Sequence, residues 1–300
     1  LTFLTVFQYA INRDGTLTPV ENDQFIINAA YSHRTVPLMV ISNFEEGTFT
    51  IELATAFFNN EELQDQILDE ALEIMQEKGY LGIDFDIEYV GRQNREAYNQ
   101  FLQKARDRLK ENNYFLSTAL APKLSDEQTG VLYEGHDYAT QGEIVDFIFF
   151  MTYEWGWSGG PPMAVSPLNE VRKVMDYAVS VVPRDKVMMG IPLYGYDWTL
   201  PYVEGGPFAR ALSPQEAIQL AARYNVSIQY DTTAEAPFFY YTDEQGREHV
   251  VWFEDARSIQ AKFNLVKELG IRGFFYWVLG RAFPQNWLLV QDNFIVRKRV

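Results

Sequence analysis

Runs of apolar residues recur along the chain, and between them apolar positions return every three or four residues. The runs have the length and the β-branched and aromatic content of strands. Most are apolar nearly throughout, as in strands that are covered on both faces. The predicted strands are 3–11, 36–44, 80–90, 114–122, 145–155, 187–198 and 271–279.

The stretches between these strands have the pattern of amphipathic helices. Residues 59–79 start with Asn, repeat apolar residues at helical spacing and stop at a Gly, and residues 94–113 carry one apolar face. Similar patterns follow at 167–182 and 258–270. Strands that alternate with helices predict an α/β fold with a parallel sheet. Seven strands suit an open doubly wound sheet, whereas a (β/α)8 barrel needs an eighth, upstream of residue 1 or in a stretch not recognised as a strand.

Residues 199–256 break the alternation of strands and helices. They contain a short helical pattern at 213–225 and two strand-like stretches joined by the turn sequence DEQG at 243–246. We therefore expect a small α+β insertion at 199–256, between two parts of the main α/β domain at 1–198 and 257–300.

The composition limits the partners that the chain can have. With 300 residues, 47% of them hydrophobic, it can bury the core of one large domain or of two smaller ones. The formal net charge of −16 argues against nucleic acid and anionic membranes, which bind basic surfaces. No apolar run reaches the roughly 18 residues of a membrane span. We expect neither nucleic acid nor a membrane as a partner.

Metal and thiol chemistry are not indicated either. The chain has no Cys, so it has no disulfide and no thiolate nucleophile. His33, His136 and His249 show no spacing typical of metal ligands. We predict an activity that needs no metal and no cofactor.

Three acids alternate with apolar residues in GIDFDIEYV, residues 82–90. In a strand, the side chains of Asp84, Asp86 and Glu88 would point to one side, which faces either water or the interior of a barrel. In the interior, neighbouring carboxylates cannot all ionise cheaply, so at least one pKa should rise. Active sites of barrels lie at the carboxyl ends of the strands, so we expect Glu88, the outermost acid, to serve as a general acid.

The GIDFDIE sequence resembles the signature of glycoside hydrolase family 18, which is Asp-x-x-Asp-x-Asp-x-Glu on the fourth strand of a (β/α)8 barrel. The resemblance places the last three acids of the signature at Asp84, Asp86 and Glu88. Leu81 stands where the family has its first Asp. That first Asp has the smallest chemical role of the four, so the departure concerns local structure more than activity.

Three further stretches are similar to the family pattern. MTYE at 151–154 resembles the Met-x-Tyr-Asp stretch of strand six, with Glu154 in place of Asp. GIPLYGYDW at 190–198 resembles strand seven. GFFYW ends at Trp277, where the family keeps the Trp that lies beneath the bound sugar.

The resemblance covers essentially the whole chain and implies a (β/α)8 barrel. Residues 1–198 and 257–300 would form the catalytic barrel, and 199–256 the α+β insertion between strand seven and helix seven. LTFLTVF at 1–7 would be the second strand, which places the first strand upstream of residue 1.

The resemblance also implies a retaining mechanism in which the substrate's own acetamido oxygen acts as the nucleophile. Glu88 would protonate the glycosidic oxygen, and Asp86 would accept a hydrogen bond from the acetamido N–H. Asp84 would adjust the protonation of Asp86 by sharing a proton with it. Tyr153 would hydrogen-bond the acetamido group, and Trp277 would stack beneath the sugar.

Other residues near the predicted strand ends are candidates for sugar binding, since amphipathic rings and polar side chains line such clefts. They are Asn43, Met151, Glu154, Trp155 and Tyr194. Simpler interpretations stay open: the aromatic residues, with Tyr153 and Trp277, could be core packing, and Asn43 could belong to a turn. Glu154 could be an ordinary surface acid, or the second carboxylate of a two-acid mechanism.

The resemblance predicts a glycosidase that cleaves β-1,4 bonds after N-acetylglucosamine in peptidoglycan or chitin. Within the family, VISNF, the FPQNWLLVQDNF tail and the layout are most similar to bacterial spore-associated glycosylases that act on cortex peptidoglycan. We therefore expect a monomeric enzyme that is extracytoplasmic or spore-associated. The alternatives are a chitinase, a catalytically inactive sugar-binding barrel, and an α/β protein whose acids face water.

Overall fold

Strands and helices alternate through most of residues 1–299, the part of the chain that this computed structural model describes. The strands are β1 Phe3–Ile11, β2 Leu17–Thr18, β3 Val36–Ser42, β4 Phe44–Glu45, β5 Thr48–Phe49, β6 Gly82–Asp86, β7 Phe115–Leu120, β8 Phe147–Phe150, β9 Val187–Pro192, β10 Gly195–Thr199, β11 Arg210–Leu212, β12 Gln229–Asp231, β13 Ala236–Thr242, β14 Glu248–Trp252 and β15 Gly273–Trp277. The α-helices are α1 Asp23–Ser32, α2 Ile51–Phe58, α3 Glu61–Lys78, α4 Arg95–Lys110, α5 Tyr138–Ile144, α6 Leu168–Val181, α7 Pro214–Arg223, α8 Ala256–Leu269 and α9 Pro284–Asn293.

The first of two compact units comprises Leu1–Phe150, Tyr177–Val187 and the chain end from Val296. Its strands lie in the order β2-β1-β3-β6-β7-β8. The short β2 pairs antiparallel with β1, and the other neighbours pair in parallel. Parallel neighbours need long crossover connections, and helices such as α3 and α4 provide them. The α/β class predicted from the alternation is therefore confirmed.

The ends of α3 follow from signals that are visible in the sequence. The side chain of Asn60 accepts a hydrogen bond from the backbone N–H of Leu63 at 3.1 Å, which satisfies one of the free donors at the helix start. At the other end, Gly79 adopts φ 89°, a left-handed conformation that glycine tolerates and that stops the helix. The helix therefore lies within the predicted stretch 59–79.

One side of β6 packs against the helices of the first unit. Phe85 is fully buried, and its ring meets that of Phe101 on α4 edge to face, with the centroids 4.9 Å apart. Successive side chains of a strand point to opposite sides, so this packing directs Asp84 and Asp86 away from α4.

The second unit comprises Met151–Asp176 and Met188–Ile295. It contains the parallel pair β9 and β15, and a five-stranded antiparallel sheet in the order β11-β10-β14-β13-β12. Helix α7 packs on the antiparallel sheet and starts with a capping box, in which Ser213 and Glu216 each bond the other's backbone N–H. The shared core consists of Leu212, Ala217, Ala221, Phe239, Tyr241, Val251 and Phe253.

Three predicted strands differ from the observed ones by more than two residues at an end or by a break. The predicted strand 80–90 ends at Asp86, and 145–155 ends at Phe150. The predicted strand 187–198 is two strands, β9 in the parallel pair and β10 in the antiparallel sheet. Apolar residues continue across these breaks, so hydropathy does not reveal them. The antiparallel sheet therefore begins at Gly195 rather than at residue 199, and the predicted domain limits stay a prediction.

Residues 1–299 contain neither a membrane-spanning helix nor a cluster of metal-ligating side chains. None of the helices there is long and apolar enough to cross a membrane. Within the same residues, no three or more His, Asp or Glu side chains are grouped so that they could hold a metal ion.

We expect Gly82→Ala to lower the free energy of unfolding by about 1–3 kcal/mol, because an added Cβ overpacks the start of β6. That Cβ would lie 2.5 Å from the backbone oxygen of Phe115 and 2.8 Å from Cδ2 of Leu38. Urea unfolding followed by circular dichroism measures the change. Gly47→Ala is the control, since its Cβ meets open space and its cost of about 1–2 kcal/mol comes from φ +87° alone. Equal stability of Gly82→Ala and wild type would mean that β6 shifts to admit a side chain.

Candidate active site

Asp84 and Asp86 are buried at the end of β6, with 4% and 7% of their surface exposed. The register with the neighbouring strands places Asp84 opposite Ser117 on β7, and Asp86 opposite Ser42 on β3. The sequence left open whether the acids face water or the interior. In the structure, Asp84 and Asp86 face the interior.

Asp84 accepts a hydrogen bond from the neighbouring strand β7. The hydroxyl of Ser117 donates to Asp84 Oδ1 at 2.7 Å. Burial raises the pKa of Asp84 to about 7, although the Ser117 hydrogen bond favours the ionised form. Near neutral pH, Asp84 is therefore poised between its protonated and ionised forms.

Asp86 is the least satisfied acid of the three. Burial raises its pKa well above the ordinary value, and the negative charges of Glu88 and Asp84 add to the effect. Its Oδ1 atom is buried and has no hydrogen-bond partner within residues 1–299. Near neutral pH the Asp84–Asp86 pair therefore retains a proton, and one carboxyl oxygen is available to a donor.

Glu88 lies beyond the end of β6 and not, as the sequence predicted, within a strand. The pairing of β6 with β3 ends at Asp86, and residues 87–90 belong to no strand. Glu88 is half-buried, and the next residue, Tyr89, is exposed and has φ 52°. Alternation along a strand therefore does not set the direction of the Glu88 side chain.

Asn43 contacts the backbone of Glu88. Its Oδ1 accepts from the Glu88 N–H at 3.0 Å, and its Nδ2 donates to the Glu88 carbonyl at 2.8 Å. Nδ2 also donates to the Thr50 carbonyl at 3.2 Å. Asn43 is fully buried, so both ends of its amide are committed to the protein. We therefore withdraw Asn43 from the sugar-binding candidates.

Glu154 and Tyr194, two predicted sugar-binding residues, are in direct contact within the second unit. Glu154 Oε1 accepts a hydrogen bond from the Tyr194 hydroxyl and another, of 3.0 Å, from that of Tyr196. Glu154 is exposed as a residue, but its carboxyl is largely surrounded by protein. This burial raises its pKa, while the two tyrosine hydroxyls favour the ionised form. Tyr194 is itself buried beside this acid, and its pKa is well above the ordinary value.

The other predicted residues of the second unit are half-buried. The Tyr153 ring meets that of Phe275 edge to face, with the centroids 6.1 Å apart. The backbone N–H of Trp155 donates to the Val165 carbonyl at 3.1 Å. The remaining half-buried positions are Met151, directly after β8, and Trp277, the last residue of β15.

Two residues with direct contacts to these acids were not assigned a role from the sequence. Ser117 is a polar residue in the apolar strand FLSTAL, but only the register of β7 against β6 reveals that it faces Asp84. Tyr196 repeats Tyr194 two residues later, and that alternation was a signal for a shared partner.

The chain is similar to known glycosidases over its whole length. Residues 45–282 match the sequence model of the family described as Glycosyl hydrolases family 18. A cortical fragment-lytic enzyme of Bacillus subtilis (strain 168) is 54% identical over 301 residues, covering 100% of this chain and 69% of that protein. The crystal structure of the spore cortex-lytic enzyme SleL of Bacillus megaterium QM B1551 is 52% identical, with a TM-score of 0.95 over 100% of this chain and 69% of that chain. The corresponding Bacillus cereus structure is 48% identical, with a TM-score of 0.97 over 99% of this chain and 69% of that chain.

We expect Asp84→Asn to change how stability depends on pH. The raised pKa means that folded Asp84 keeps its proton at pH values where the unfolded chain has lost it. The stabilising effect of that proton is fully present below about pH 4 and is lost as pH rises to about 7. The variant has no carboxyl group at this position and does not lose this stabilisation. As pH rises from about 4 to about 7, its free energy of unfolding should therefore increase by roughly 2–4 kcal/mol relative to that of the wild type.

Urea unfolding at intervals across this pH range measures the difference. Glu73→Gln, which replaces an exposed acid on α3, controls for the removal of one carboxyl group. A constant difference between Asp84→Asn and wild type would contradict a buried, protonated Asp84.

Proposed function

The chain belongs to glycosyl hydrolase family 18, and we propose that it cleaves β-1,4 bonds after N-acetylglucosamine in spore-cortex peptidoglycan by a retaining, substrate-assisted mechanism. Membership of the family makes the chain a glycosidase of the α/β, (β/α)8 barrel class, as the sequence predicted. The buried Oδ1 of Asp86, which lacks a hydrogen-bond partner within residues 1–299, is the observation that carries the mechanism.

Asp86 suits the recognition of a 2-acetamido group. A buried carboxyl oxygen without a donor costs free energy, and the acetamido N–H is a donor that removes this cost. The hydrogen bond would orient the acetamido carbonyl oxygen toward the anomeric carbon. As positive charge develops on the acetamido group, the proton of the Asp84–Asp86 pair would move toward Asp84, which leaves Asp86 negative beside that charge.

Glu88 would supply and recover the proton of the reaction. It protonates the glycosidic oxygen while the bond from that oxygen to the anomeric carbon breaks. The acetamido oxygen bonds to the same carbon and forms a cyclic oxazolinium ion. Water then attacks the anomeric carbon and gives a proton to Glu88 while the bond from that carbon to the acetamido oxygen breaks, which restores the acid and the acetamido group and yields a product with retained configuration.

Glu154 does not resemble the nucleophile of a two-acid mechanism. A nucleophilic carboxylate needs an oxygen that is free to attack the anomeric carbon, whereas two tyrosine hydroxyls already bond Oε1 of Glu154. We assign Glu154 to sugar binding, together with Met151, Trp155 and Tyr194. The family resemblance supports Tyr153 as a second donor to the acetamido group and Trp277 as the stacking residue.

The choice of peptidoglycan over chitin rests on the relatives. They are named as a cortical fragment-lytic enzyme and as spore cortex-lytic enzymes, and at least 48% of their aligned residues are identical to this chain. Chitin also carries acetamido groups, so the chemistry at Asp86 admits both polymers. We propose that the enzyme acts as a monomer at the spore cortex.

Glu88→Gln should lower kcat on purified cortex fragments by at least about 10²-fold, because the amide cannot donate the proton that the leaving sugar needs. Released reducing ends measure the turnover, and chitin oligomers and vegetative peptidoglycan serve as comparison substrates. The matched control, Glu73→Gln, replaces an exposed acid on α3 and should retain wild-type turnover. Turnover by Glu88→Gln at the wild-type rate would exclude Glu88 as the acid, and absence of turnover by the wild type would favour a sugar-binding barrel.

Cortex fragments whose glucosamine residues have lost the N-acetyl group should bind but not be cleaved, because the internal nucleophile is missing. A thiazoline analogue of the oxazolinium ion should inhibit the enzyme on intact fragments. Cleavage of the de-N-acetylated fragments would support a two-acid mechanism instead, and Glu154→Gln would then abolish it.

A further inference from the structure

We propose that Asn43 and His136 are positioning residues for Glu88, which together replace the sheet hydrogen bonds that the backbone gives up after Asp86. This inference rests on the proposed role of Glu88 as the general acid.

The segment that carries Glu88 is buried although it has left the sheet. Pairing with β3 ends at Asp86, and pairing with β7 ends at Phe85. Ile87 and Val90 are nevertheless fully buried. Backbone N–H and C=O groups in such a place need partners inside the protein, because water does not reach them.

Side chains provide such partners on both sides of Glu88. The Ile87 carbonyl accepts from Nε2 of His136 at 2.9 Å. The N–H of Glu88, which belongs to the same peptide unit, donates to Oδ1 of Asn43 at 3.0 Å. Nδ2 of Asn43 donates to the Glu88 carbonyl at 2.8 Å, so the peptide units on both sides of the Glu88 Cα are bonded. Two side chains thus set the position from which the Glu88 carboxylate extends.

His136 is suited to this role because its second nitrogen is also bonded. The backbone N–H of Ala121 donates to Nδ1 at 2.9 Å, so Nε2 carries the hydrogen that points to Ile87. His136 is fully buried, and burial lowers its pKa to about 4. The ring is therefore neutral near pH 7 and links the Glu88 segment to the end of the next strand, β7.

The conformation after Glu88 shows why the segment needs this support. Tyr89 adopts φ 52°, a left-handed conformation that is unfavourable for a residue with a Cβ. Such a turn persists where the surroundings determine it. A general acid must lie within hydrogen-bond reach of its oxygen, and a misplacement of about 1 Å can cost about 10²-fold in rate.

If Asn43 positions Glu88, replacing Asn43 should lower kcat by an amount that depends on the leaving group of the substrate. Asn43→Ala should lower kcat on cortex fragments by about 10²-fold and leave KM within about threefold of wild type. On a nitrophenyl glycoside of an N-acetylglucosamine oligosaccharide, whose nitrophenolate leaves without a proton, the loss should be at most about threefold. Glu88→Gln, measured beside it, should also lose less on this substrate than on cortex fragments, but it keeps the part of the loss that comes from the missing base in the water step. A loss of equal size on both substrates would mean that Asn43 is only structural.

His136 allows a pair of variants that separates its two hydrogen bonds. In His136→Gln the amide nitrogen can take the place of Nε2 and donate to Ile87, whereas in His136→Asn the amide reaches only the place of Nδ1. We expect His136→Gln to retain kcat within about threefold of wild type, and His136→Asn to lose about 10²-fold on cortex fragments. Equal kcat values for the two variants would overturn the role of the Ile87 hydrogen bond, and this comparison decides the matter if Asn43→Ala does not fold.

Gln64→Ala is the matched control for loss of a buried amide. Its Nε2 donates to the Phe57 and Phe58 carbonyls at 3.2 Å each, at the end of α2. This variant should lose stability but keep wild-type kcat. Full activity of Glu88→Gln would refute the proposed mechanism itself, whereas an inactive Glu88→Gln beside fully active Asn43→Ala and His136→Asn would refute only the positioning.

Discussion

The burial of two neighbouring carboxyl groups on one side of β6 is the constraint on which the rest of the site depends. Charged groups taken out of water lose hydration, so Asp84 and Asp86 favour the protonated form, and the charge of Glu88 reinforces this for Asp86. Ser117 donates a hydrogen bond to Asp84, whereas Oδ1 of Asp86 has no hydrogen-bond partner within the described residues 1–299. The pair therefore retains a proton and holds one buried acceptor oxygen that no donor among those residues satisfies.

Glu88 differs from the two inner acids because the chain leaves the sheet before it. In a continued strand, alternation would have set the direction of the Glu88 side chain, in one row with Asp84 and Asp86. Ending β6 at Asp86 lets Glu88 sit half-buried at the edge while its backbone stays bonded through Asn43 and His136. The free energy of the irregular turn at Tyr89 is thereby offset by hydrogen bonds that the side chains provide.

The acid of the second unit shows the opposite solution to burial. The carboxyl group of Glu154 also has a pKa raised by burial, although the residue is partly exposed, but the hydroxyls of Tyr194 and Tyr196 donate to it. A satisfied carboxyl group is suited to holding side chains or sugar hydroxyls in place, and an unsatisfied one, such as Asp86, is suited to capturing a donor from the substrate. The number of donors around each acid, and not the acid itself, distinguishes their proposed roles.

The sequence by itself determined the alternation of strands and helices, the stop of α3 at Gly79 and the row of acids, because these depend on residues that are neighbours along the chain. It could not determine where the predicted strand 80–90 ends, since apolar residues continue past Asp86. The partners Asn43 and His136 stand about 45 residues on either side of Glu88, and nothing in the local pattern joins them to it. Only the tertiary structure decided those contacts, because the register of strands brought together from distant parts of the chain fixes which side chain meets which peptide group.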